Sequence, residues 1–210
     1  HDLRRQYQKA KLEDHDLKDK PYSLFTEWFK KACQVISKDP HAMTLATVDQ
    51  HSRPRLRIVL LKEHEENKFT FFTNYRSAKA RELEVNKRAS LLFYWPELER
   101  QIRIEGEVKK VSRQASVKYF NSRPRGSQLA ASVSNQSQVV NSRQVLEDSF
   151  QELERQYEGQ VLTCPKDWGG FVLEAVNYEF WQGRENRLHD RIEYFLAGEN
   201  SRWLRRRLAP

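Results

Sequence analysis

Between positions 101 and 109 the chain alternates without a break. Ile102, Ile104, Gly106 and Val108 fall on one side, and Arg103, Glu105, Glu107 and Lys109 on the other. Side chains of a β-strand point to opposite faces in turn, so this period of two demands a strand with one buried and one wet face. Such a strand needs partners. Further strands are read at 42–48, 55–62, 68–73 and 91–95, then, after a helical stretch, at 170–175, 178–182, 191–196 and 203–208. Strands joined by short turns favour an antiparallel barrel over a doubly wound sheet. The expected fold class is therefore mainly β with peripheral helices, an α+β arrangement.

The helices are read from a different period. Leu24, Phe25, Trp28, Phe29, Ala32, Val35 and Ile36 recur at three- and four-residue steps behind Pro21, which suits a first helical position. Ser77 is placed to cap a short helix after the third strand. Residues 112–158 have helical texture, with Val145, Leu146, Phe150, Leu153 and Tyr157 outlining one apolar side. Residues 1–20 are almost wholly polar and are expected to form a flexible arm. With no Gly/Ser/Pro-rich linker, 21–210 is expected to be one domain carrying a helical insertion at about 112–158.

Composition removes whole classes of function. Only 7 of the 210 residues are glycine, and none form G-x-G-x-x-G or a P-loop, so any phosphate must be gripped by side chains. The 2 cysteines, Cys33 and Cys164, lack paired ligand spacing; neither zinc nor a disulfide framework is expected, which fits a reducing cytoplasm. No apolar run approaches the roughly 18 residues of a membrane span, and no secretory pattern is seen in the opening residues. The net charge of +8 raises nucleic-acid binding as a rival, but the 37 basic residues are interleaved with 29 acidic ones and no recognised nucleic-acid motif is present.

Four clusters place cationic or amide side chains beside aromatics. In the second strand Arg57, Val59 and Leu61 share one face, and Ile58, Leu60 and Lys62 the other. Phe71-Phe72-Thr73-Asn74 runs toward a helix N-terminus, where free N–H groups and the helix dipole favour an anion; Lys79 lies in its first turn. Tyr119, Arg123 and Ser127 are spaced four apart, so on one helix they converge on a single phosphate. Finally Arg187, His189 and Arg191 alternate beside Trp181, and on an extended segment they point the same way.

These residues carry a resemblance. Arg57-x-x-x-x-Lys62, Phe72-Thr73-Asn74, Gln101 to Gly106, Tyr119-Phe120-x-Ser122-Arg123-Pro124, Gln136-Ser137, Trp168-Gly169-Gly170, Phe180-Trp181-Gln182-Gly183, Arg187-Leu188-His189-Asp190-Arg191 and Arg207-Leu208-Ala209-Pro210 resemble the pyridoxine (pyridoxamine) 5′-phosphate oxidase family, in order along nearly the whole chain. The resemblance implies a homodimer of split β-barrels with FMN in clefts at the subunit interface. It implies FMN contacts from Arg57, Ile58, Val59, Leu60, Phe72, Thr73, Lys79, Gln101, Gln136, Ser137, Trp181 and Arg191, some from the second subunit. Lys62, Tyr119, Arg123 and Ser127 would hold the substrate phosphate, with Arg187 and His189 over its ring as the catalytic pair. Arg4 and Tyr7 match an N-terminal element that folds over the substrate in some members. The implied reaction oxidises pyridoxine or pyridoxamine 5′-phosphate at C4′ by hydride transfer to flavin N5, with O₂ reduced to H₂O₂. One position departs from the family pattern: Ala78 stands where an FMN-gripping Arg is usual, and Arg76 or Arg81 is expected to compensate. The alternatives are a flavin reductase-like split-barrel protein and, below it, a basic nucleic-acid-binding protein.

Overall fold

A computed structural model describes residues 7–197 and 202–210. Nine antiparallel strands form one curled sheet: β1 (Ala42–Val48), β2 (Pro54–Leu60), β3 (Glu63–Glu65), β4 (Lys68–Asn74), β5 (Arg88–Trp95), β6 (Arg100–Lys110), β7 (Trp168–Gln182), β8 (Asp190–Ala197) and β9 (Arg202–Leu208). Their order is β2-β1-β5-β6-β7-β4-β3, and β8 pairs with both β7 and β9. The sheet curls far enough for the Lys62 N–H to reach the Thr70 carbonyl at 2.9 Å, joining the end of β2 to β4.

The alternation that announced β6 becomes a burial pattern, with Ile102, Ile104 and Val108 in the core. Gly106 lies at a bulge where β6 shifts register against β7. A Cβ there would run into the Glu174 carbonyl, so glycine permits the two backbones to approach.

Helix α1 (Pro21–Val35) buries Leu24, Phe25, Trp28 and Ala32. Phe25 meets Phe69 edge-on at 4.9 Å between ring centroids, and Trp28 meets Phe180 at 5.4 Å. Fully burying each such side chain contributes roughly 1.5–3 kcal/mol. Val35, expected on this stripe, is 43% exposed because the helix ends there. Helix α2 (Ala78–Val85) follows β4. Between β6 and β7 come α3 (Arg113–Ser122), α4 (Arg125–Val133) and α5 (Arg143–Gln156), which enclose a second, smaller core around Phe120, Leu129, Leu162, Cys164 and Trp168.

Three features differ from the sequence reading. The strands expected at 170–175 and 178–182 are one 15-residue strand, β7, because Val176-Asn177 continues the extended chain past the bulge instead of turning. The 3-residue β3 was not anticipated. From residue 7 onward, the segment expected as a free arm lies against the barrel, with Leu12 only 2% exposed. Arg4 lies outside the described residues.

Candidate active site

Two groups of side chains form, at opposite ends of β7. The first lines an open cleft of about 590 Å³ between β2, β4 and the α3–α4 corner. Strand β2 supplies Ile58, Val59 and Leu60, and Lys62 follows it; β4 supplies Phe72 and Thr73; α2 supplies Lys79; and the helical region supplies Tyr119, Arg123, Ser127 and Gln136. Phe72, Tyr119 and Trp168 stack as its aromatic wall, Phe72 on Tyr119 at 3.9 Å and Phe72 on Trp168 at 5.5 Å.

Tyr119, Arg123 and Ser127 do converge, but not on one helix as expected. Pro124 holds Arg123 in an extended conformation (φ −77°, ψ 150°), which ends α3 and lets α4 start anew. The three side chains reach the cleft from a corner between two helices. The Arg123 guanidinium lies 4.7 Å above the Trp168 ring, and its buried Nη1 has no hydrogen-bond partner among the described residues.

At the other end of the cleft the Lys79 ammonium donates to Thr73 Oγ1 at 3.0 Å, Gln136 Oε1 at 3.1 Å and Ser77 Oγ at 3.3 Å. The Ser77 hydroxyl oxygen accepts from Lys79, and Ser77 makes no side-chain cap to α2. Burial, with the nearby Arg57 charge, lowers the Lys79 pKa to about 8, against the opposing pull of Glu82. Burial and the Arg123 charge likewise lower that of Lys62. Among the described residues no carboxylate lines the cleft. Cations held together without an acid make a receptor for anions.

Arg57 does not line this cleft. It donates through Nη2 to Glu82 at 2.6 Å and through Nη1 to Thr47. Arg76 pairs with Asp167 at 2.8 Å, and Arg81 donates to the Arg76 carbonyl. Neither Arg76 nor Arg81, the two arginines expected to compensate for Ala78, lines the cleft. Ser137 sits beyond the cleft lining in a left-handed turn (φ 70°).

The second group is a wall on β6, β7 and β8. Gln101, Trp181 and Arg191 occupy one rung across the three strands. Arg191 Nε donates to Glu179 Oε1 at 2.8 Å, and Glu179, 3% exposed, also pairs with Arg103 at 2.9 Å. His189 lies 4.7 Å from the Trp181 ring, and Tyr7 meets both rings edge-on at 5.6 Å. His189 Nδ1 accepts the Arg184 N–H at 3.1 Å. Burial first, then Arg187, lowers the His189 pKa, with Asp190 opposing. The expected extended run through Arg187, His189 and Arg191 does not exist. Asn186 and Arg187 take positive φ (56° and 63°) in a one-turn 3-10 helix, so β8 starts only at Asp190 and Arg187 points from an exposed turn.

Sequence reasoning missed Glu82 and Glu179, acids that hold Arg57 and Arg191. Their only signal was proximity to site basics, since acids read as surface.

A family model described as pyridoxamine 5′-phosphate oxidase matches residues 29–157, and one for the C-terminal dimerisation region of pyridoxine 5′-phosphate oxidase matches 168–210. The chain belongs to the pyridoxine/pyridoxamine 5′-phosphate oxidase family. It is 48% identical to the pyridoxine/pyridoxamine 5′-phosphate oxidase of Pseudomonas paraeruginosa, over 100% of this chain and 97% of that one. With the enzyme of the same name from Leptospira biflexa it is 46% identical over 99% and 97%. Among solved structures, PhzG from Burkholderia lata 383 in complex with tetrahydrophenazine-1-carboxylic acid superposes with a TM-score of 0.87 at 29% identity, covering 93% of this chain and 95% of that one. The family is FMN-binding, and its split-barrel fold is the one seen here. The homodimer rests on the matched dimerisation region. Among the described residues no helix is long and apolar enough to cross a membrane.

Proposed function

We propose that the chain oxidises pyridoxine or pyridoxamine 5′-phosphate to pyridoxal 5′-phosphate at a site built jointly by two copies. The observation that carries this is the cleft's set of cations with no acid among the described lining residues: Arg123, whose buried Nη1 has no partner among the described residues, beside Lys62, and Lys79 beyond. Such a set fits two phosphate esters, one at each end.

The residues fit FMN. Lys79, Thr73 and Gln136 form a polar corner for its phosphate, Ile58, Val59 and Leu60 an apolar side, and Gln101, Trp181 and Arg191 the second wall. Arg57, tied to Glu82, fixes that corner from behind. Along β7 the path between the two groups is roughly 40 Å at ~3.3 Å per residue, and no residue of the wall lines the cleft. A second copy brings its wall to the first copy's cleft, and the exposed apolar face of β2, with Leu56 at 69% and Ile58 at 65%, is a surface such a copy covers.

The chemistry FMN supplies when bound is two-electron acceptance of the C4′ hydride at N5, with O₂ as final acceptor, reduced to H₂O₂. The chain's own residues bind and orient. Arg123, Lys62, Tyr119 and Ser127 anchor the substrate phosphate by charge-assisted hydrogen bonds. Arg187 places a cation over the ring. His189 keeps Nδ1 occupied as an acceptor and its pKa low, so it is neutral with the proton on Nε2. Nε2 is then a donor that orients the substrate, not a base that removes its proton.

The test is the visible spectrum of the FMN-loaded protein under anaerobic pyridoxine 5′-phosphate. Flavin bands bleach and return with air if the reading is right. Bands that persist with both the alcohol and the amine substrate would remove it.

A further inference from the structure

Two carboxylates outside the cleft make contacts that the reaction does not use. Glu99 is 8% exposed in the turn between β5 and β6, in a left-handed conformation (φ 54°). Its carbonyl accepts the Gly183 N–H at 2.8 Å and Gln182 Nε2 at 3.2 Å, which clamps it to the end of β7 beside Trp181. Its side chain turns to the N-terminal segment, where Oε2 accepts the main-chain N–H groups of Gln8 at 2.9 Å and Lys9 at 3.0 Å. Further along, the N–H of buried Leu12 donates to Asp190 Oδ2 at 3.1 Å. Asp190 is itself fixed by Arg184 and Arg207, each at 2.9 Å.

Residues 7–12 form no helix or strand. Their path is set by these side-chain acceptors, and an ionised acceptor holds a main-chain N–H about twice as strongly as a neutral one. What the path achieves is the placement of Tyr7 on Trp181 and His189. Gly183 is fitted to the same end, because a Cβ there would come within 2.7 Å of Tyr7 Cγ.

We propose that Glu99 and Asp190 are positioning residues: by accepting main-chain N–H groups of residues 8–12 they latch Tyr7 over the Trp181–His189 wall, closing it over the substrate ring. This rests on the reading of that wall as part of the oxidase site. Neither residue lines the cleft, and both act through Tyr7.

The test uses the FMN-loaded enzyme and its Glu99→Ala variant, with trypsin sensitivity read beside kinetics. Loss of the latch frees Lys9 and Lys11, so cleavage after them accelerates about tenfold. KM for pyridoxine 5′-phosphate rises about tenfold, kcat falls less, and FMN content is unchanged. Glu99→Gln keeps an acceptor oxygen and recovers most of both losses. Gly183→Ala pushes on Tyr7 from the other side and gives the same pair of changes; the double variant adds little to either single one. Wild-type cleavage in Glu99→Ala, or faster cleavage with unchanged KM, overturns the proposal. Where Glu99→Ala does not fold, Gly183→Ala and Glu99→Gln decide by the same readouts. If the oxidase reading itself were wrong, no variant would turn over the substrate, yet the tryptic rates would still decide whether the latch exists.

Discussion

Replacing Arg123 by Ala removes a cleft guanidinium whose buried Nη1 has no partner among the described residues. A charge-assisted hydrogen bond to phosphate contributes about 1.5–3 kcal/mol, so KM for the phosphorylated substrate rises roughly 10- to 150-fold with kcat little changed. Steady-state kinetics on the FMN-loaded variant check this, and an unchanged KM would remove Arg123 from the phosphate site. Lys79 gives a pH prediction. Its pKa is lowered to about 8 by burial and by Arg57, and a bound phosphate favours its charged form. FMN affinity is therefore held below pH 8 and falls by up to about tenfold per pH unit above it. Flavin fluorescence titrations at pH 7.5 and 9.5 measure the slope, and Lys79→Arg flattens it. At this scale the sequence displayed the cations but not the acids that place them. A Glu at position 99 or 179 reads as surface until the fold wraps other chain segments around it. The extended reading of 187–191 failed for a related reason: φ above zero at Asn186 and Arg187 leaves no trace in a pattern of residue types.

Among elements, strands with one wet face were legible because burial stamps a period of two on them, and β1 and β6 came out within a residue of their ends. Two elements escaped. Glu63-His64-Glu65 carries no apolar alternation, and it pairs as β3 only because β4 offers it an edge. The join within β7 looked like a turn because a bulge interrupts the period there. The bulge yields a prediction: Gly106→Ala forces a methyl against the Glu174 carbonyl and costs about 1–3 kcal/mol. Urea unfolding of the FMN-loaded protein checks it; an unmoved midpoint would mean the backbones separate freely. The α3–α4 corner shows how a correct grouping can rest on a wrong element. The four-residue spacing suggested one continuous helix, whereas Pro124 breaks it and the chain turns the same three residues inward.

For the whole molecule, the separation along β7 predicts how damaged subunits combine. Arg123→Ala spoils the cleft and Arg187→Ala the wall. If each site takes its cleft from one copy and its wall from the other, a mixed dimer of the two variants holds one intact site and one doubly damaged site. Co-expressed and purified by two different tags, such hybrids recover about half the wild-type activity while each homodimer stays impaired; a hybrid no better than its parents would place each site within a single chain. The dimer itself was legible only through the family resemblance, because an exposed Leu56 or Ile58 does not say in sequence what covers it. The cleft's want of any lining carboxylate reaches beyond the reaction. On the cleft's own side no described lining residue repels a small anion of the wrong kind, and the chain's net charge of +8 favours such ions nearby. Sulfate, inorganic phosphate and polyphosphate are therefore expected to compete, so that an affinity measured in phosphate buffer would be a displacement value that falls as the buffer concentration rises.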